Sequence, residues 1–97
     1  MAPILVLPHP QISQSRGKDT IIDCITTSNP LGRFVWVKDG SDVLESDRYT
    51  LQRTHVHGYT YRLELYITGL IEEDFGTFFC VSENAIGASE ESMVLYG

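Results

Sequence analysis

Apolar and polar positions alternate along almost the whole chain, and no stretch shows the three-to-four spacing of an amphipathic helix, so the working period is two. The pattern predicts an opening strand from Pro3 to about Leu7, interrupted by Pro8-His9-Pro10 and resumed near Gln11. Proline cannot donate to a ladder, so this segment belongs at a sheet edge. A strand over roughly Asp19 to Thr27 turns Cys24 inward together with Thr20, Ile22 and Thr26, and Ser28-Asn29-Pro30-Leu31-Gly32 forms a turn cluster. From about Arg33 to Lys38 the next strand faces Phe34 and Trp36 inward and Val35 and Val37 outward, before a turn at Asp39-Gly40. Arg48 to Arg53 and Tyr59 to Ile67 read as two further strands, the second with Leu63, Leu65 and Ile67 inward. The corner from Thr68 to Phe75 carries Leu70 as a plug. A strand over Gly76 to Glu83 turns Phe78 and Cys80 inward, Asn84-Ala85-Ile86-Gly87 reverses the chain, and a last strand turns Met93 and Leu95 inward. Short alternating strands with turn signals about every 8–12 residues describe an all-β, two-sheet sandwich.

Size and charge narrow the picture. A chain of 97 residues is one domain, residues 1–97, of the usual size for such a sandwich. With 42% hydrophobic and 21% charged residues it is neither disordered nor fibrous. A net charge of −6 opposes phosphate backbones and anionic lipid, so nucleic acid and direct membrane insertion are not expected. The longest apolar run, Ile4-Leu5-Val6-Leu7, lies between prolines and is too short for a membrane span or a signal core. Met1-Ala2 does not read as a natural N-terminus, and the chain is expected to be a module excised from a larger multidomain protein.

Cys24, Trp36 twelve positions later, and the run Asp74-Phe75-Gly76-Thr77-Phe78-Phe79-Cys80 resemble the immunoglobulin superfamily. Trp36-Val37-Lys38-Asp39-Gly40, Leu65-x-Ile67, Leu70, Asp74, Gly76, Cys80 and Asn84-x-x-Gly87 resemble its I-set branch, over nearly the whole chain. The resemblance implies an immunoglobulin-like Greek-key sandwich with an inter-sheet disulfide between Cys24 and Cys80. It implies a core around Trp36, Leu65, Ile67, Leu70 and Phe78, and a structural salt bridge from Arg48 to Asp74. Closing the long interval between the cysteines contributes about 4 kcal/mol on a chain-entropy basis. The alternative for the cysteines, a redox pair or metal ligands, lacks a CxxC spacing, and a bridge places the protein in an oxidising compartment. Phe78 stands where the family usually has tyrosine, so the ring can pack but a corner hydrogen bond from a phenol cannot form. The stretch His57 to Leu63 and the ending Met93-Val94-Leu95-Tyr96 are similar to the third, membrane-proximal domain of lachesin, IgLON and DIP neuronal adhesion proteins. That narrower likeness implies a spacer in a cell-surface protein with homophilic or heterophilic protein partners.

Other chemistry is weakly signalled. His55 and His57, even with His9, do not supply the convergent ligands zinc requires, and Glu72-Glu73-Asp74 and Glu90-Glu91 read as a solvated rim rather than a calcium cage. There is no nucleophile elbow, Cys/His pair or phosphate-cradling loop, so no catalysis, small-molecule substrate, metal or cofactor is expected. Asn29 precedes Pro30 and Asn84 precedes Ala85-Ile86, so neither is an N-glycosylation acceptor. The candidate binding surface follows from alternation: with Trp36 and Cys80 inward, Val35, Val37, Phe79 and Val81 must point outward, and Val94 and Tyr96 join them from the last strand. Several adjacent apolar side chains on one solvent face tend to mark a contact, unless long neighbours such as Arg33 and Glu83 cover them. Three functions follow for comparison: an extracellular adhesion or recognition module, a receptor ectodomain for a soluble ligand, and an intracellular structural domain of the titin and myosin-binding type.

Overall fold

A computed structural model describes all 97 residues as two packed β-sheets. The strands are β1 (Ile4–Val6), β2 (Gln11–Ser13), β3 (Thr20–Thr27), β4 (Arg33–Lys38), β5 (Ser41–Asp42), β6 (Tyr49–His57), β7 (Thr60–Ile67), β8 (Gly76–Glu83) and β9 (Ala88–Tyr96). One sheet has the order β1-β3-β7-β6 and the other β2-β9-β8-β4-β5. The proline-interrupted first strand divides between them: β1 runs antiparallel to β3, and β2 then pairs parallel to β9. Pro8 and Pro10 lie in the crossing, where their missing N–H groups interrupt no ladder.

Two elements differ from the alternation pattern. β6 continues to His57 rather than ending near Arg53, because it is an edge strand. From Gln52 onward only Thr54, Val56 and their exposed neighbours follow, so no buried period marks its end. A register irregularity between His55 and His57 then bends it into the hairpin. The two-residue β5 carries no periodic signal at all; its ladder places Asp42 opposite Val37 and Ser41 opposite Lys38.

The core is continuous between the sheets. Trp36, Leu65, Ile67, Leu70 and Phe78 are all buried, with Ile22, Met93 and Leu95 among them. Cys24 and Cys80 form the disulfide that joins β3 to β8, with Cα atoms 6.6 Å apart. Trp36 stands next to Cys80 in the β4–β8 ladder, meets Phe78 edge-on at 6.4 Å between centroids, and directs its indole N–H at the Leu63 carbonyl of the other sheet, 3.4 Å away. Burying the indole thus leaves its polar edge matched. A second cross-sheet tie is buried Thr26, whose hydroxyl donates to Ser82 at 2.8 Å. Gly32 has φ +64°, and a Cβ there would run into the Glu83 carbonyl, so only glycine lets the turn before β4 come this close to the end of β8. The only helix is a single 3-10 turn, Glu72–Asp74, and no helix is long and apolar enough to cross a membrane.

Candidate protein-binding face

The outer face of the five-stranded sheet is built by the β4–β8–β9 ladders. Val35 stands opposite Val81 and Val37 opposite Phe79, so these four side chains form a compact quartet. On β9, Val94 stands opposite Thr77, one step diagonally from Phe79, and Tyr96 lies two residues further along the same face beside Ser13 of β2. All six candidates therefore share one face. They do not share it equally: Phe79, Val94 and Tyr96 are 37%, 39% and 46% exposed, whereas Val35, Val37 and Val81 are half-buried.

Part of that difference has a visible cause. The Arg33 guanidinium reaches Asp42 at 2.5 Å, and Asp42 stands opposite Val37. To get there Arg33 must lie along its own row, past Val35. Glu83, which faces Arg33 across the ladder, makes no ion pair and stays exposed. The accessible apolar ridge is thus shifted toward Phe79, Val94 and Tyr96. There it opens onto a shallow groove of about 750 Å³ whose wall includes Phe75 and Gly76. Alternation does not reveal this groove, because Phe75 reaches it from the corner before β8.

The other charged and polar groups serve the frame. Arg48 grips Asp74 with two hydrogen bonds, Nη1 to Oδ2 at 2.6 Å and Nη2 to Oδ1 at 3.1 Å. Asp74 is buried and also accepts the Tyr49 hydroxyl and the Ile71 N–H, the latter at 2.8 Å. Burial pushes the Asp74 carboxyl up, but the bonds from Arg48, Ile71 and Tyr49 together outweigh it and hold the group below the usual carboxylate range. The same contacts act on the partners: burial, then the Asp74 bond, push Tyr49 up to about 12, and the bond to Asp74 raises Arg48. Tyr49 carried no signal in the alternation pattern. The Thr26–Ser82 pair did, since both are polar at inward positions. His55 stacks on Tyr61 and bonds the Gly58 carbonyl at 2.8 Å, so it is engaged within its own hairpin. No three His, Cys, Asp or Glu side chains gather anywhere.

Comparison with known proteins agrees with this geometry. The family profile of the immunoglobulin I-set domain matches residues 3–96. The chain is 31% identical over 98 residues to Brother of CDO from Homo sapiens, a match covering 98% of this chain and 8% of that protein. It is 26% identical over 94 residues to Protein amalgam from Drosophila melanogaster, covering 97% of this chain and 28% of the relative. The chain thus spans less than a third of either relative's length. Among solved structures, a chain in the complex of Dpr2 Ig1-Ig2 with DIP-Theta Ig1-Ig3 superposes with a TM-score of 0.93 at 20% identity, over 99% of this chain and 32% of the other. The titin tandem A164-A165 superposes with a TM-score of 0.78 at 23% identity, over 97% of this chain and 46% of the other. With a profile covering nearly every residue, the disulfide between the sheets and Trp36 beside it, the chain belongs to the immunoglobulin I-set domains.

Proposed function

We propose that this chain is a non-catalytic recognition module of a longer cell-surface protein, binding another protein through the outer face of its five-stranded sheet. The observation that carries the reading is the unbroken apolar row of that face, from Val35 and Val81 through Phe79 to Val94 and Tyr96. The opposite sheet also exposes Ile4, Val6 and Ile21, but its outer face is interrupted by the Asp23–Arg62 pair and by the Thr27–Thr60 hydroxyl bond. Scattered aliphatics of that kind are ordinary, whereas a contiguous row is not. The disulfide supports an oxidising compartment, as do relatives such as Brother of CDO and amalgam for an adhesion or recognition role close to that of lachesin, IgLON and DIP third domains. The likeness to titin keeps the intracellular structural reading as the alternative. Mapping Cys24 and Cys80 in the native protein after alkylation under non-reducing conditions separates the two: free thiols would favour the structural domain.

The binding reading is tested with Phe79→Glu. The substitution places a charge at the centre of the ridge while leaving Trp36, Phe78 and the disulfide untouched. It should leave the circular dichroism and melting temperature close to wild type and reduce association with a protein partner, or with a second copy, by about tenfold or more. Association unchanged in sedimentation and binding assays would remove this face from consideration.

A further inference from the structure

The charges around the apolar ridge are distributed unevenly. On the outer face of β8 and β9, Glu83 follows Val81 on the same side, and Glu90 stands directly opposite Val81. Glu91 is exposed at the adjacent position on β9. None of the three makes a salt bridge. The cations within reach are already taken: Arg33 by Asp42, Lys38 by Asp39 and the Glu73 carbonyl, and Arg16 by Glu72. The face therefore presents an apolar centre flanked at one end by unpaired carboxylates, on a molecule whose net charge is −6.

Resting on the binding role argued above, we infer that the partner is a different protein whose contact surface carries apolar or aromatic side chains bordered by lysine and arginine. Like charges set against an acidic rim disfavour a complex and opposite charges favour it, so the rim selects among partners that could all cover the ridge. A second copy of this chain would bring the same unpaired glutamates and the same net negative charge to the contact. Its own cations are engaged elsewhere, so it cannot supply the missing counter-charge. An acidic or neutral partner would leave Glu83 and Glu90 desolvated without compensation.

The test uses the intact chain, Phe79→Glu, and the double substitution Glu83→Lys with Glu90→Lys, all first checked for native circular dichroism. A displayed library of short random peptides is selected against the intact chain, and the enriched peptides are measured on all three proteins. The expected result is enrichment of peptides with Lys or Arg flanking an aromatic or aliphatic anchor. Their affinity should fall about tenfold on either variant, and several-fold when salt is raised from about 50 to 300 mM. Peptides that lose affinity for Phe79→Glu but not for the double substitution would keep the face and overturn the basic partner. Peptides indifferent to Phe79→Glu, or no enrichment at all, would overturn both. A monomer–dimer equilibrium of the intact chain that Phe79→Glu abolishes would assign the ridge to a second copy, and the inference would fall.

Discussion

The two ends of the sandwich are tied by polar clasps of opposite kind. At one end Asp74, a buried carboxylate, gathers Arg48, Tyr49 and the Ile71 amide. At the other, Asn84 serves the same purpose without charge. Its Nδ2 lies 2.8 Å from the Met1 carbonyl and 3.1 Å from both the Ser28 hydroxyl and the Pro30 carbonyl, while its Oδ1 accepts the Ile86 and Gly87 amides at 2.9 and 3.1 Å. The difference lies in what each end must join. Near Asp74 every neighbour is a donor, so an acceptor-only group fits, and a guanidinium must neutralise it. Around Asn84 carbonyls and amides face each other, and only a group with both donors and acceptors can bridge them. Asp74 therefore makes its end of the fold depend on ionisation; Asn84 leaves the other end indifferent to it.

Removing the charge should be the larger blow. Asp74→Ala leaves Arg48 and Tyr49 facing an empty acceptor, and chemical denaturation should show a loss of about 3–5 kcal/mol. The pH profile sharpens the point. Because the folded pKa of Asp74 lies below its unfolded value of about 4, its contribution is present above that value and is lost as pH falls through the folded pKa. Tyr49 runs the other way. Raised to about 12 from about 10, it supports the fold below about pH 10, and that support disappears as pH rises to about 12. In urea midpoints measured against pH, Asp74→Asn should flatten the acid side and only reduce the alkaline side, since burial, the largest cause of the Tyr49 shift, remains.

Asn84→Ala should cost about 2 kcal/mol, the loss of several neutral hydrogen bonds at a partly exposed site, with no change in the shape of the pH profile. Asn84→Asp is the sharper variant. A carboxylate there faces the Met1 and Pro30 carbonyls, so stability should be lowest near neutral pH and recover as pH approaches about 4, opposite in slope to the effect of Asp74. A pH-dependent Asn84→Ala, or a flat Asn84→Asp, would show that the two ends are not chemically distinct in this way.

How much of this could be read in advance differs between the clasps for the same reason. Alternation around Trp36, Phe78 and Cys80 is local and states which side chains enter the core, and the parity that turns them in turns Val35, Val37, Phe79 and Val81 out. Parity is silent on coverage: nothing within Arg33–Lys38 says that Arg33 will lie along Val35 to reach Asp42 on a strand of two residues. Arg48 and Asp74 are legible only through family resemblance. Asn84 likewise enters as a turn residue, and its bonds to Met1, Ser28 and Pro30 join segments that meet only once both sheets have formed. The end of β6 is illegible for a simpler reason, since an exposed edge strand has no buried side to keep time.

The smallest effect concerns the corner above Asp74. Phe78 is fully buried and lacks the hydroxyl that a tyrosine would direct back to this corner. Lys38 supplies a tie in its place: its ammonium lies 5.6 Å from the centre of the Phe78 ring and donates to the Glu73 carbonyl at 3.0 Å. The corner is thus held from β4 rather than from β8. Phe78→Tyr should add about 1 kcal/mol, seen as a rise of about 5 °C in melting temperature, provided the new hydroxyl finds a corner acceptor. Lys38→Met removes the existing tie, and the gain from Phe78→Tyr should be larger in that background, because the two groups secure the same turn. An equal gain in both backgrounds would show that Lys38 does not stand in for the phenol, and a loss in both would mean that the ring has no room for an added oxygen.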